Sequence, residues 1–104
     1  MGKGATSVHV LQIEYPVPDY EAWKEAFDRD LVDREGSGVR CYRVLRPTDD
    51  PNYVSIDLEF DDAERAGAYL EALRSAVYSS RGASSTIGGG PQTLIAEVTE
   101  AKEY

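Results

Sequence analysis

Alternation of apolar and polar side chains is the clearest signal in this chain. In residues 53–60, YVSIDLEF, Val54, Ile56, Leu58 and Phe60 interleave with Tyr53, Ser55, Asp57 and Glu59, the period of two expected of a strand with one buried face. Residues 8–15, VHVLQIEY, are rich in β-branched and apolar side chains until Pro16 and Pro18 withdraw ladder donors. There His9, Leu11, Ile13 and Tyr15 form the more apolar face, and Val8, Val10, Gln12 and Glu14 the other. Residues 39–45 read as a further strand, joined to 53–60 by the turn-rich segment 48–52, and 93–99 as the last. Helical spacing takes over between them. Tyr20, Trp23, Phe27 and Leu31 make one stripe of a helix predicted over 20–34, with Asp19 as its N-cap, Glu21 in the first turn and Gly36-Ser37-Gly38 as its stop. Ala66, Leu70, Leu73 and Val77 make the stripe of a second helix, capped by Asp61 with Glu64 reaching back, and ending near Tyr78.

The order is βαββαβ, the split pattern of a ferredoxin-like α+β domain: a four-stranded antiparallel sheet with two helices on one face. A chain of 104 residues supports one core, so 8–104 is expected to be a single domain behind a flexible leader, 1–7. Residues 79–90, SSRGASSTIGGG, form a small-residue connection of a length that is usually functional or mobile. The sheet face away from the helices would carry Val8, Val10 and Tyr53 beside Gln12, Glu14, Asp57 and Glu59. That face is too apolar to be wholly solvated and too charged for a dry core, so a second copy of the chain is expected to cover it.

Charge narrows the partners. Eleven Lys and Arg against nineteen Asp and Glu leave a net charge of −8, which repels nucleic-acid backbones and anionic membranes. The nearest approach to a basic cluster, Arg40, Arg43 and Arg46, is split between the two faces of a strand. No apolar run is long enough to span a bilayer. Cys41 is the single cysteine, which excludes an intrachain disulfide, fits a cytoplasmic protein and reads as a small buried hydrophobe.

Candidate chemistry is sparse. His9 is the sole histidine, open to general-base work or ligation but equally a packed residue at a strand end. Glu14, Asp57, Glu59 and Glu97 could converge on neighbouring strands and hold a hard cation, or form a solvated face. Arg43 could pair with them or clamp an anion. Gly88-Gly89-Gly90 lacks the spacing of a phosphate loop. With so few thiolates and imidazoles, no haem, structural metal or other cofactor is expected. The remaining place for a ligand is between the helical stripes and the sheet, beneath 79–90. Its candidate lining is His9, Ile13, Trp23, Phe27, Tyr42, Ile56, Leu70 and Tyr78, the alternative being a filled core.

Segments 17–28 (VPDYEAWKEAFD), 38–44 (GVRCYRV) and 54–60 (VSIDLEF) resemble the dimeric α+β barrel superfamily, and within it small bacterial proteins related to the antibiotic biosynthesis monooxygenases. The resemblance spans about 8–98 and implies a homodimer with facing sheets. Members include cofactor-free oxygenases of polyphenolic substrates, haem degraders and proteins without a known activity. Those enzymes keep an Asn and a Trp near the cavity, and the haem degraders a His on the second helix. Here the sole Asn, Asn52, falls in the hairpin loop, Trp23 on the first helix, and no His on the second, which disfavours haem chemistry. Two readings result: a cofactor-independent monooxygenase-like enzyme acting on a small aromatic or polyketide-like molecule, as the resemblance implies, and a non-catalytic small-ligand-binding or structural homodimer, as the residues alone suggest.

Overall fold

A computed structural model describes residues 8–79 and 87–104; the expected leader, 1–7, and most of the small-residue connection, 80–86, lie outside the described residues. The elements are β1 (His9–Pro16), α1 (Tyr20–Asp28), β2 (Cys41–Leu45), β3 (Tyr53–Phe60), α2 (Ala63–Leu73), which runs on into a π-helical turn (Arg74–Tyr78), and β4 (Gln92–Glu97). The sheet order is β2-β3-β1-β4, with every neighbouring pair antiparallel. This is the ferredoxin-like α+β architecture.

Register between the two central strands makes the core. Leu11 lies opposite Leu58, Ile13 opposite Ile56 and Tyr15 opposite Val54, and all six are buried with Phe60, Val17, Trp23, Ala66, Tyr69 and Leu70. Each large apolar side chain removed from water there contributes about 1.5–3 kcal/mol. A slip of one residue in either strand would turn Gln12 and Glu14, or Asp57 and Glu59, toward the helices, so the alternation also fixes the pairing.

The helix caps show where local sequence competes. Asp62, not Asp61, is the N-cap of α2: its backbone is extended and its carboxylate accepts from Arg65 N at 2.8 Å. Asp61 instead pairs with Arg40 at 3.2 Å and Arg65 at 3.6 Å. Asp19 caps α1 as expected, accepting from Glu21 N at 3.0 Å.

Helix α1 stops at Asp28, well short of Arg34. Asp30 and Asp33 take the left-handed conformation, φ 53° and 52°, which Asp tolerates better than most residues. Their carboxylates accept from Arg34 N at 2.8 Å and Gly36 N at 3.1 Å, giving the backbone partners that a helix would otherwise supply. The last turn of α1 holds no basic side chain, so acids crowd the negative end of the dipole. Leu31 consequently leaves the stripe and is 57% exposed. Gly38 then turns the chain at φ 99°, where a Cβ would press on Arg65 Cδ at 3.2 Å.

Smaller differences follow from edges. β2 begins at Cys41, two residues later than expected, although Arg40 N still bonds Glu59 O at 2.8 Å. β4 covers 92–97, with Val98 N bonding Val8 O at 2.8 Å beyond it. Cys41 is exposed, because it lies on the open face of the outermost strand opposite Glu59. Glu97 pairs with His9 on the helix side of the sheet and so does not join Glu14, Asp57 and Glu59. No helix among the described residues is long and apolar enough to cross a membrane.

Truncating Phe60, fully buried, to Ala should cost about 3–5 kcal/mol in urea unfolding, whereas Leu31→Ala should stay within ~0.5 kcal/mol. A core-sized loss for Leu31→Ala would mean that the first helix continues past Asp28 and packs Leu31 against the sheet.

Candidate functional site

The two helices meet the sheet differently. α2 runs close along β1, β3 and β4, while α1 comes near no strand over a comparable length. Aromatic side chains bridge the gap. Trp23, buried on α1, donates Nε1–H to the Tyr15 hydroxyl of β1 at 2.8 Å. Phe27, one turn on, stacks against Trp23 with ring centroids 5.0 Å apart and meets Tyr42 of β2 edge-on at 5.3 Å. On the other side the π-helical turn presents Tyr78 edge-on to Tyr15, at 6.1 Å. The wider winding shifts this last turn relative to the α2 stripe.

A hollow remains between these groups. Its floor is Ile13, Tyr15, Ile56 and Leu58; Trp23, Ala26 and Phe27 line one wall, Tyr69, Leu73, Val77 and Tyr78 the other, and Leu31, Val32, Arg34 and Ile87 come from the connections. The empty space is about 580 Å³ counted to its mouth, of which about 60 Å³ admits the centre of a water-sized sphere. Sites for drug-sized ligands run to roughly 300–1,000 Å³, so the hollow as it stands is far too small for a ring system, which would need the lining to move apart.

Among the described residues Arg34 is the one charged side chain on this lining. Its guanidinium lies 3.9 Å from the Phe27 centroid and 4.9 Å from that of Tyr42, donates from Nη1 to Phe27 O at 3.1 Å and stands 3.5 Å from the Asp30 carboxylate. The left-handed turn at Asp30 is what aims it inward. Three phenols complete the polar set. Burial pushes the Tyr15 hydroxyl up to about 12, against smaller opposing effects of its bonds with Trp23 and Tyr78. Burial likewise raises Tyr69 to about 12, with the Arg34 cation pulling the other way. Tyr78 is raised too, by burial and then by Tyr15 and Tyr69 beside it. All three are neutral donors at physiological pH.

Of the residues singled out in the sequence, Ile13, Trp23, Phe27, Ile56 and Tyr78 meet in this hollow. His9 does not: it sits at the opposite end of β1 from Tyr15, beside Phe60 and Glu97, its Nδ1 without a partner among the described residues. Leu70 is buried in the core rather than on the lining, and Tyr42 is 43% exposed, behind Phe27. Tyr15, Tyr69 and Arg34 were missed. Tyr15 shares the parity of Ile13, and Tyr69 follows Ala66 by three on α2, so both carried a signal. Arg34 carried none, since the expected helix ran through it. On the open face Arg43 pairs with Asp57 at 3.2 Å and Tyr53 donates to Glu14 at 2.7 Å. Asn52 is a structural clasp, its side chain donating to Pro18 O at 2.9 Å while its carbonyl accepts from Val17 N at 2.8 Å. Among the described residues no group of three or more His, Cys, Asp and Glu is placed to hold a metal ion.

No protein-family model and no curated protein matches the sequence, but solved structures match the fold over nearly the whole chain. A protein of unknown function from Nitrosomonas europaea superposes with a TM-score of 0.70 at 16% identity, covering 97% of this chain and 98% of that one. A dimeric ferredoxin-like protein from an uncultured marine organism gives 0.68 at 10% identity, over 94% and 93%. SnoaB, a cofactor-independent oxygenase from Streptomyces nogalater, gives 0.62 at 12%, over 95% and 97%. The neighbours of this chain are thus ferredoxin-like proteins, antibiotic biosynthesis monooxygenase-like chains among them, and what they share with it is the fold.

Raised phenol pKa values make stability depend on alkaline pH. Below about 10 these phenols are protonated folded and unfolded; between 10 and 12 the unfolded chain binds fewer protons, so stability falls as pH rises through that window. For Tyr15 the loss should reach roughly 2–3 kcal/mol by the upper end. Ultraviolet titration of the native chain should show Tyr15, Tyr69 and Tyr78, of its seven tyrosines, ionising together with unfolding, with Tyr53 raised separately by its bond to Glu14. Seven phenols titrating together in the folded protein would contradict the buried cluster.

Proposed function

We propose that this chain is a cytoplasmic homodimer whose hollow binds a small, flat aromatic or polyketide-like molecule, with cofactor-independent monooxygenation as its reaction. The observation that carries the reading is the lining itself: an aromatic wall of Trp23 and Phe27 facing neutral phenol donors and one cation. Such a wall favours stacking on a planar ring, and the few polar groups orient it. An electron-rich phenol that enters as its phenolate can itself reduce dioxygen, one oxygen atom taking the place of two hydrogens on a ring carbon and the other leaving with them as water, so no resident cofactor is needed; the protein's part is then to bind, orient and exclude water. SnoaB, a cofactor-independent oxygenase, has the same fold.

A second reading is favoured by one feature of the same site. Among the described residues the lining holds no carboxylate, imidazole or thiol, so no side chain there is suited to general-base work near neutral pH. That fits a domain that binds such a molecule without transforming it. Titrating a panel of phenolic and polycyclic compounds, with Trp23 as the sole tryptophan reporter and a dioxygen electrode alongside, separates the two. Saturable binding with dioxygen uptake supports the enzyme, saturable binding alone the ligand-binding domain, and no binding removes both. Trp23→Phe, followed by calorimetry, should weaken a bound ring by about tenfold while losing about 1–3 kcal/mol of stability with the Tyr15 bond. In a filled core it would lower stability alone.

The homodimer rests on the open sheet face. By register Val10, Leu45 and Leu94 share it with Arg43, Asp57, Glu59 and Glu14, and Leu45 and Leu94 are 43% and 57% exposed. Two related structures are described as dimeric. The lone, exposed thiol of Cys41 suits a reducing compartment. Sedimentation at micromolar concentration should give a dimer for the wild type and a monomer for Leu94→Glu. A wild-type monomer would remove the barrel assembly.

A further inference from the structure

Resting on the reading of the hollow as an aromatic-ligand site, we infer that Arg34 is its specificity-determining residue and that the ligand is an anion, a flat ring system bearing a carboxylate or an acidic phenol rather than a neutral aromatic.

Three observations converge on Arg34. First, it is the one charged group lining the hollow among the described residues, and its side chain is only 12% exposed. A cation so placed has lost much of its hydration, and its interactions are screened little by water or salt. Second, its orientation is held from several sides: Phe27 and Tyr42 pack on the guanidinium at 3.9 Å and 4.9 Å from their centroids, and Phe27 O takes one of its N–H groups. A planar donor fixed in this way loses little freedom when a planar carboxylate meets it. Third, its one carboxylate partner among the described residues, Asp30, stands at 3.5 Å and is 37% exposed, at a length where the ion pair leaves donor capacity unused.

The neighbouring donors favour the same ligand. Tyr69 lies against Arg34 and burial keeps it protonated, so an anion there meets a cation and a neutral O–H, with no carboxylate on the lining among the described residues. The chain as a whole carries −8, so long-range attraction does not bring the anion in. Selection is local. A neutral ring of equal shape keeps the stacking but leaves the guanidinium with only Asp30 at 3.5 Å and the Phe27 carbonyl as polar partners, its remaining donor capacity unused, a loss that sites built around polar contacts convert into discrimination.

The test uses two probes of one shape, naphthoate and naphthamide, titrated calorimetrically into the wild-type chain. Naphthoate should bind about tenfold more tightly or better, with a ratio that changes little as salt rises. Arg34→Gln should bring the ratio close to one by weakening naphthoate alone, and Arg34→Lys should restore part of it. Arg43→Gln, which removes a cation 75% exposed on the open face, should leave the ratio unchanged. Equal binding of both probes by the wild type, or tighter binding of the amide, overturns the inference and leaves the aromatic site standing. Binding of neither probe overturns the site itself. The wild-type ratio and its insensitivity to salt decide the matter even if Arg34→Gln fails to fold: a preference that collapses with salt belongs to a surface cation and also overturns it.

Discussion

A single buried hydrogen bond, Trp23 Nε1 to the Tyr15 hydroxyl, sets the relation between the first helix and the sheet. It satisfies two polar atoms that would otherwise be stranded in an apolar interior, where each unpaired group costs about 1–3 kcal/mol. It also acts as a spacer. Both partners are long aromatic side chains meeting tip to tip, so α1 is tied to β1 while its backbone is kept off the strands. The hollow between them is therefore a consequence of how the helix is attached rather than a packing defect. Shorter apolar residues at both positions would let the helix settle and close it.

The same tie explains why the site is aromatic and nearly uncharged. Once Trp23 reaches Tyr15, Phe27 one turn later must face the same space, and the ring of Tyr42 is drawn against it. Tyr78 closes the opposite side because the chain rewinds into a π-helical turn as it leaves α2. Among the described residues charge enters where regular structure stops, at Arg34.

Much of the fold was legible because it depends on short periods. The alternation in 53–60 and 8–15 fixed which side chains of β1 and β3 are buried, and with it the composition of the open face. The second helix and the hairpin followed from stripes and turn residues, the cap being misplaced by one position where Asp61 and Asp62 compete. The first helix was overdrawn because Leu31 continues a stripe of apolar residues, while the acids that end the helix do so through left-handed turns that a helical wheel does not register. The site was half legible. Ile13, Trp23, Phe27, Ile56 and Tyr78 follow from facing stripes. His9 and Leu70 share those stripes but lie elsewhere along them, so parity alone does not separate them. Arg34 depends on a turn whose form is set by two aspartates.

The segment between α1 and β2 therefore has an evolutionary meaning. It supplies Leu31, Val32 and Arg34 to the lining, but apart from Val32 and Val39, which pack against the core, it contributes little to what holds the sheet together. Connections of this kind accept substitution and insertion more readily than the elements they join. Descendants of this chain could reshape the hollow by rewriting that stretch alone, with the folding of the two central strands left untouched.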